Sequence, residues 1–470
     1  MGADSVDYHR ATVMNRGDDH PGQALDYYAS RGETPLRWGG AGARDLGLVG
    51  NVTEDQYQAI YGPGGALDPI TGERLVVTRR PGMELVIAAH KSVAELGVIG
   101  RAEDMHRILD AERDATLAYL DALTAHQGGR RGRACVSAPT EGLIYAVTRH
   151  ATSRAGDPAP HDHVLLANVV RMADDKGGWK AATTSLWREH IHAATMFGRM
   201  AAAREAVNLG YGIVRDDGPS GRLGHWTIAG IPEEVMEVHS KRAAEIAAEA
   251  ERRGYDSYRA KGIIARDNRA QKRRTPVGEL MPRWQAELES VGWPVERLQR
   301  CVAEARTPRR RSVLTTAQER EVIAQALSPD GSLAARKVFS RRDVVVAVAP
   351  ALFGLDPTEL PRVVGRTLAD PETVPLLRTP FARGRAYATA TTIATESSIA
   401  AAVDIEVQRS DAPTVDEFAR YQALARREQE LGKPLTAGQR AAVMGITSSG
   451  RGMELVVGVA GSGKTTALAA

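Results

Sequence analysis

Residues 150–170 read HATSRAGDPAPHDHVLLANVV, and the parsing of this stretch decides the fold. Its segment ATSRAGDPAP (151–160) is dense in turn formers. It separates two apolar runs that read as strands, Leu143–Arg149 and Val164–Val170. Two such runs around a link of this kind predict an antiparallel hairpin with a longer loop. Side chains two apart on a strand share a face, so His161 and His163 point the same way. His150 ends the first strand, and the hairpin brings it beside the pair. Three imidazoles on one sheet face leave coordination positions open for substrate oxygens and water, which a catalytic metal centre requires. With 12 histidines in 470 residues, an HxH pair arises by chance about 0.3 times. The pair alone therefore fits a set of partly buried or surface histidines equally well.

Working outward, GMELVIAA (82–89) reads as a strand, followed by the segment His90–Gly97. Residues 103–124 form an amphipathic helix, with Met105, Ile108, Leu109, Leu117 and Leu120 on one stripe. Ser185–Leu209 is helical and ends at Gly210, and Tyr211–Ala229 reads as a second hairpin. Pro232 to Gly254 reads as one helix, with Pro at its start and Gly at its end. The basic stretch RTPRRRS (306–312) marks a domain boundary; beyond it the chain is Ala/Arg/Val-rich and mostly helical to about residue 430. The end, MELVVGVAGSGKTTALAA (453–470), reads as a strand, a Gly loop and a helix start. The expected organisation is an α+β domain over 1–302, built on an antiparallel sheet with helices. An α-rich region over 303–430 and the start of an α/β phosphate-loop domain over 431–470 follow it.

Composition narrows the class. The formal net charge is only +3, so the whole-chain balance announces no nucleic-acid partner. Cys135 and Cys301 are the only cysteines, which excludes a disulfide framework or a Cys-rich zinc site. No apolar run is long enough for a transmembrane helix, and the first residues carry no apolar secretory segment. A cytoplasmic protein of several domains is expected.

The stretch 150–170 resembles the metal site of conjugative relaxases of the TrwC/TraI (MobF) type, within the HUH endonuclease class. Other stretches resemble the same family in the same order: ALDYYASRGETPLRWGGAGARDLGLVG (24–50), GMELVIAAHKSVAELG (82–97) and WTIAGIPEEVMEVHSKR (226–242). The resemblance covers about the first 300 residues.

It implies a palm-like α+β domain that cuts one strand at a plasmid origin of transfer. A tyrosine attacks the scissile phosphodiester and stays joined to the 5′ phosphate, leaving a free 3′ hydroxyl. Carried over residue by residue, His150, His161 and His163 match the three metal ligands. They imply a divalent cation, Mg²⁺ or Mn²⁺, although three imidazoles without a carboxylate are an unusual set for either. Tyr8, in GADSVDYHR, matches the first catalytic tyrosine, with Tyr27 and Tyr28 in reserve. The family's acidic residue beside the metal is typically Asp; here it is Glu84, expected to orient a ligating histidine or accept a proton. Arg154, in the hairpin loop, is expected at the DNA phosphate. Arg130, Arg131 and Arg133 form a basic loop cluster for the single-stranded DNA, and Lys272–Arg274 a second. Trp38 and Trp179 are candidates for stacking on bases or for packing. Relaxosome and coupling proteins are the implied partners.

Gly458 to Thr465, GVAGSGKT, is a complete phosphate-loop motif. Backbone N–H groups from Gly458, Gly461 and Gly463 would cradle phosphates, Lys464 would pair their oxygens, and Thr465 would hold Mg²⁺. LTAGQRAAV (435–443) resembles the superfamily 1 helicase segment whose glutamine, here Gln439, contacts adenine. No second acidic Mg²⁺ ligand follows the loop before Ala470. A truncated helicase start with a partial ATP site is expected, without hydrolysis or unwinding. The competing readings are an inactive DNA- or nucleotide-binding remnant of a relaxase-helicase and, with little support, a cupin-like metal oxidoreductase.

Overall fold

The computed structural model describes residues 34–124, 126–131, 134–173, 178–216, 224–255, 257, 263–264, 275–306, 313–377 and 385–469. They form two compact units. The first runs to Ala335 and takes in Phe339–Asp370; the second comprises Arg336–Val338 and most of the chain from Pro371 onward. The first unit thus continues past the basic stretch 306–312.

The centre of the first unit is a four-stranded antiparallel sheet. Its strands are β1 (Arg37–Gly39), β2 (Gly82–Ala88), β5 (Tyr145–Thr152) and β6 (Pro158–Ala167), in the order β1-β5-β6-β2. Between β2 and β5 the chain also makes a separate two-stranded ribbon, β3 (His126–Arg131) with β4 (Ala134–Pro139). The expected hairpin is β5–β6, but its second strand starts at Pro158 rather than Val164. The turn-forming residues shrink to Ser153–Asp157, and both histidines of the HDH motif lie inside the strand.

Both faces of the sheet carry apolar layers. Leu36, Trp38, Tyr57, Ile60, Tyr61, Ala146 and Leu165 share one cluster. Ile87, Leu109, Leu117, Val164, Leu166 and Trp187 share the other, beneath the helices Ala102–Thr124 and Thr184–Asn208. These helices approach closely because residue 198 is glycine: a Cβ there would lie 2.2 Å from the Thr116 hydroxyl and 2.7 Å from the Glu112 carbonyl. Gly40, at φ +96°, lets the chain pass β5 where a Cβ would meet the Leu143 carbonyl at 2.0 Å.

The stretch 232–254 is two helices, Glu233–Val238 and Lys241–Arg252, broken at His239 and Ser240. His239 is withdrawn into the interior to pair with Glu95, so the helical periodicity is interrupted by a buried polar contact. In the second unit the strand expected before the phosphate loop does not form. Residues 453–459 are irregular, with Leu455, Val457 and Val459 strongly exposed. A central parallel strand needs neighbours on both sides, and none pairs with it among the described residues. The helices Glu417–Leu431, Ala437–Ser448 and Lys464–Leu468 share a small core of Leu424, Leu435, Val443 and Ala467.

Candidate metal centre

Register builds the centre. His150 on β5 stands opposite His161 on β6, and Thr148 opposite His163. Directly paired residues of an antiparallel ladder share a face, so the three imidazoles project together. One ligand nitrogen from each lies within 4.8 Å of the others. Ring centroids are 5.3, 4.6 and 5.0 Å apart for the three pairs. The register shifts between His150 and Thr152, an irregularity that bends β5 immediately beyond the ligand position.

Hydrogen bonds orient the rings. His161 Nδ1 is 2.7 Å from the Ala159 carbonyl, and a carbonyl only accepts, so this nitrogen carries the proton. His163 Nδ1 is 2.7 Å from Glu84 Oε1. In both residues the lone pair then belongs to Nε2, the state a ligating imidazole needs. His150 is buried, 3% exposed. Three imidazoles from one face of a rigid ladder fit a divalent cation with further positions open. Glu84 faces Leu165 in register, two residues along the ladder from the position opposite His163, and its side chain spans the diagonal.

The opposite face explains Asp162. Fully buried, it accepts from Arg149 Nε at 2.6 Å and Nη2 at 2.7 Å, and from Arg113 Nη1 at 3.4 Å. Arg149 also reaches Asp110 at 2.8 Å. Burial acts to lower the Arg149 pKa, but the bonds and charge of Asp162 and Asp110 outweigh it and hold the guanidinium above its ordinary value. The middle residue of HDH is thus no ligand: it ties β6 to the Ala102–Thr124 helix.

Other candidates fall as follows. Arg154 is half-buried in the turn between β5 and β6. Arg130 and Arg131 lie on β3 of the ribbon; their side chains are outside the description. Tyr8, Tyr27, Tyr28, Arg133 and Lys272–Arg274 lie outside the described residues. Trp38 does not offer a base-stacking face. It is buried, stacks on Tyr61 with centroids 6.0 Å apart, and donates to Gln56 Oε1 at 2.9 Å. Trp179 packs against the same cluster.

In the second unit Gly461 and Gly463 have φ of +78° and +77°, as the phosphate-loop path demands. Lys464 Nζ donates to the carbonyls of Gly458 at 2.7 Å and Val459 at 3.1 Å. Thr465 is the second residue of the short helix Lys464–Leu468. Gln439 sits against the loop, its Nε2 3.1 Å from the Ser462 carbonyl and 3.3 Å from that of Gly463. It also completes a capping box with Thr436.

Sequence reasoning passed over a buried polar group beside the centre: Lys91, Glu95, Asp157 and His239. A signal was present, since Lys91 and Glu95 occur in a segment whose other residues are apolar or small, but nothing local paired them with residue 239.

An imidazole triad on an antiparallel sheet, backed by two long helices, is a relaxase fold. The TrwC relaxase family matches residues 2–291, and the chain belongs to that family. The AAA domain family matches residues 434–470. The multifunctional conjugation protein TraI of Escherichia coli is 27% identical over 351 residues, which are 69% of this chain and 19% of that protein. The chain therefore spans about a fifth of the length of this curated relative. Among solved structures, the conjugative relaxase TrwC in complex with oriT DNA, in its copper-bound form, is similar with a TM-score of 0.52 and 23% identity. That similarity covers 63% of this chain and 98% of the solved one.

Proposed function

We propose that this chain is a conjugative relaxase that cuts one DNA strand at an origin of transfer through a tyrosine–5′-phosphate intermediate. The observation that carries the reading is the triad of His150, His161 and His163, with ligand nitrogens within 4.8 Å of one another and Glu84 bound to His163. A divalent cation held there supplies Lewis-acid polarisation of the scissile phosphate. The protein's own part is to hold three lone pairs on one face, to keep two Nδ1 protons donated away from it, and to present Arg154 from the adjoining turn to a phosphate oxygen. Tyr8 is the proposed nucleophile, with Tyr27 and Tyr28 as alternatives. The nucleophile's proton leaves as its oxygen bonds phosphorus, and the departing 3′ oxygen takes up a proton. The phosphotyrosine conserves the bond energy for religation. Arg130, Arg131 and Arg133 are proposed to follow the DNA backbone.

The substrate is single-stranded DNA of an origin of transfer, with relaxosome and coupling proteins as partners. The relative TraI is named a conjugation protein, and the solved relative TrwC is described as bound to oriT DNA. Mg²⁺ or Mn²⁺ is the proposed cation. No described helix is long and apolar enough to cross a membrane, and a cytoplasmic location is proposed. The proposed domains are 1–302, 303–430 and 431–470. ATP hydrolysis and unwinding are not proposed for these 470 residues; the exposed, irregular 453–459 segment supports that reading.

The test mixes the protein with Mn²⁺ or Mg²⁺ and single-stranded DNA carrying its nick site. A covalent adduct surviving denaturing electrophoresis is expected, lost in the triple variant Tyr8→Phe, Tyr27→Phe, Tyr28→Phe. Loss in Tyr8→Phe alone assigns the nucleophile. No adduct with metal bound and the right DNA overturns the reading.

A further inference from the structure

The turn that joins the two histidine-bearing strands is gripped from outside. Gly156 closes it at φ +77°. Its carbonyl accepts from Trp284 Nε1 at 2.8 Å and from Arg283 Nη2. Two residues on, the Pro158 carbonyl at the first position of β6 accepts from Lys91 Nζ at 2.7 Å. Three side chains from two helices, Lys91–Val98 and Val277–Ser290, thus converge on two carbonyls of one turn. Their own positions are interlocked. Lys91 Nζ also donates to the His239 carbonyl at 2.6 Å. His239 Nε2 lies 3.2 Å from the Trp284 carbonyl, and its Nδ1 lies 2.9 Å from Glu95. Neither His239 nor Glu95 has an exposed side chain. Asp157, also buried, accepts from Ser153 Oγ at 3.2 Å and faces Lys241 Nζ at 3.7 Å.

Burial gives these bonds consequence. A carbonyl or ammonium stripped of water and then left unpaired costs more than an exposed one, so the clamp has few alternative arrangements. None of Lys91, Trp284 and Arg283 belongs to the histidine centre. Each is tied to the segment Ser153–Pro158, which carries Arg154 and opens the strand bearing His161 and His163. Hairpin links are ordinarily among the more mobile parts of a fold. Here the link is held at both of its carbonyl-bearing shoulders.

We propose that Lys91 and Trp284 are positioning residues for strand transfer: they fix the β5–β6 turn so that Arg154 and the opening of β6 stand in a single geometry toward the scissile phosphate. The inference rests on the proposed relaxase reaction. It assigns work to a half-buried lysine and to a tryptophan more than 100 residues beyond the histidine centre in sequence. The helix Val277–Ser290 becomes part of the catalytic architecture without touching DNA.

The test uses the full chain with Lys91→Met and Trp284→Phe, which remove the donors and keep most of the volume. Two readouts are needed. Amide hydrogen exchange over 150–161 is expected to quicken about tenfold or more, while protection in the Ala102–Thr124 helix stays at the wild-type level. Single-turnover cleavage of an oligonucleotide that the wild type cuts is expected to slow about tenfold or more. Its DNA Kd and Mn²⁺ affinity are expected to stay within about threefold of wild type, a split that general destabilisation does not produce. Unchanged exchange over the turn overturns the proposal. So does faster exchange with an unaltered cleavage rate, or a cleavage loss matched by weaker metal binding. If the wild type cuts no origin DNA, the relaxase reading fails instead, and exchange alone decides whether the clamp holds the turn. Should either single variant fail to fold, Arg283→Lys probes the Gly156 carbonyl from the partly exposed side by the same two readouts.

Discussion

Replacing Glu84 by alanine tests a side chain that holds His163, a proposed metal ligand, from a neighbouring strand. In the wild type its carboxylate accepts a hydrogen bond from His163 Nδ1 at 2.7 Å. Loss of such a partner typically weakens metal affinity about 10–100-fold. Two features place the expectation within that range. The bond is short and charge-assisted, which argues for the upper part. The Glu84 side chain is 27% exposed, so water can replace it, which argues for the lower part. His161 is unaffected, because its Nδ1 is held by the Ala159 backbone carbonyl, beyond the reach of any side-chain change. The expected loss is therefore about 10–30-fold in Mn²⁺ affinity, or about 1.4–2 kcal/mol. Glu84→Gln retains an acceptor oxygen without the charge and should lose about threefold to tenfold. Isothermal titration of the full chain with Mn²⁺ at pH 7.5 gives the constants, and a thermal melt confirms the fold. Wild-type affinity in Glu84→Ala would refute the orienting role. A loss as large as that of His163→Ala would equally refute it, because it would make Glu84 a ligand rather than a support.

Asp162→Asn should destabilise the first unit by about 3 kcal/mol, since it leaves the buried Arg149 with only the half-exposed Asp110 for charge compensation; urea unfolding followed by tryptophan fluorescence measures it, and a change under 1 kcal/mol would dismiss the pair as a structural anchor. Glu112 gives a pH dependence. Burial pushes its carboxyl up to about 7, partly offset by Arg199, so the folded state holds a proton that the unfolded chain releases at lower pH. Its contribution is fully present below the unfolded value and is lost as pH rises toward 7, by up to about 3 kcal/mol. Glu112→Gln should flatten the stability profile between about pH 4.5 and 7, and an unchanged profile in urea titrations would deny the shift.

How far the fold was legible in the sequence depended on whether each pattern was local. The hairpin was readable because turn formers sit between apolar runs. The placing of three histidines on one face followed from the two-residue period of a strand. The edge of β6 is not legible from apolarity. Pro158, Ala159, Pro160 and His161 do not look like a strand, yet all four belong to β6, with Pro158 opposite Thr152 and His161 opposite both His150 and Ala88. The helix break at His239 was invisible because its cause is Glu95, 144 positions away. Trp38 could be read either as a stacking platform or as core until Tyr61 and Gln56 were in place around it. The strand before the phosphate loop was expected from its β-branched residues, but strand propensity in a parallel sheet is largely the expression of neighbours. The tyrosines are a different matter, since all three lie outside the described residues.

The alternation within HDH carries a physical argument of its own. Period two sends Asp162 to the face of the sheet opposite the three imidazoles. There Arg149 and Arg113 neutralise it. Glu84 engages His163 through Nδ1, the nitrogen that a ligand bound through Nε2 does not use. The sheet thus divides its chemistry by parity. Two odd positions of β6 join His150 of β5 in presenting three imidazoles together, and the even position between them spends its charge on fixing the strand to the Ala102–Thr124 helix. A one-residue slip of β6 would exchange the two sets, burying a histidine pair against the helix and turning Asp162 to the metal face. The Arg149–Asp162 pair opposes that slip directly, because in the shifted register Arg149 would remain buried with its carboxylate on the wrong side of the sheet. Holding the proposed metal ligands in register is therefore a task performed from the face that carries none of them.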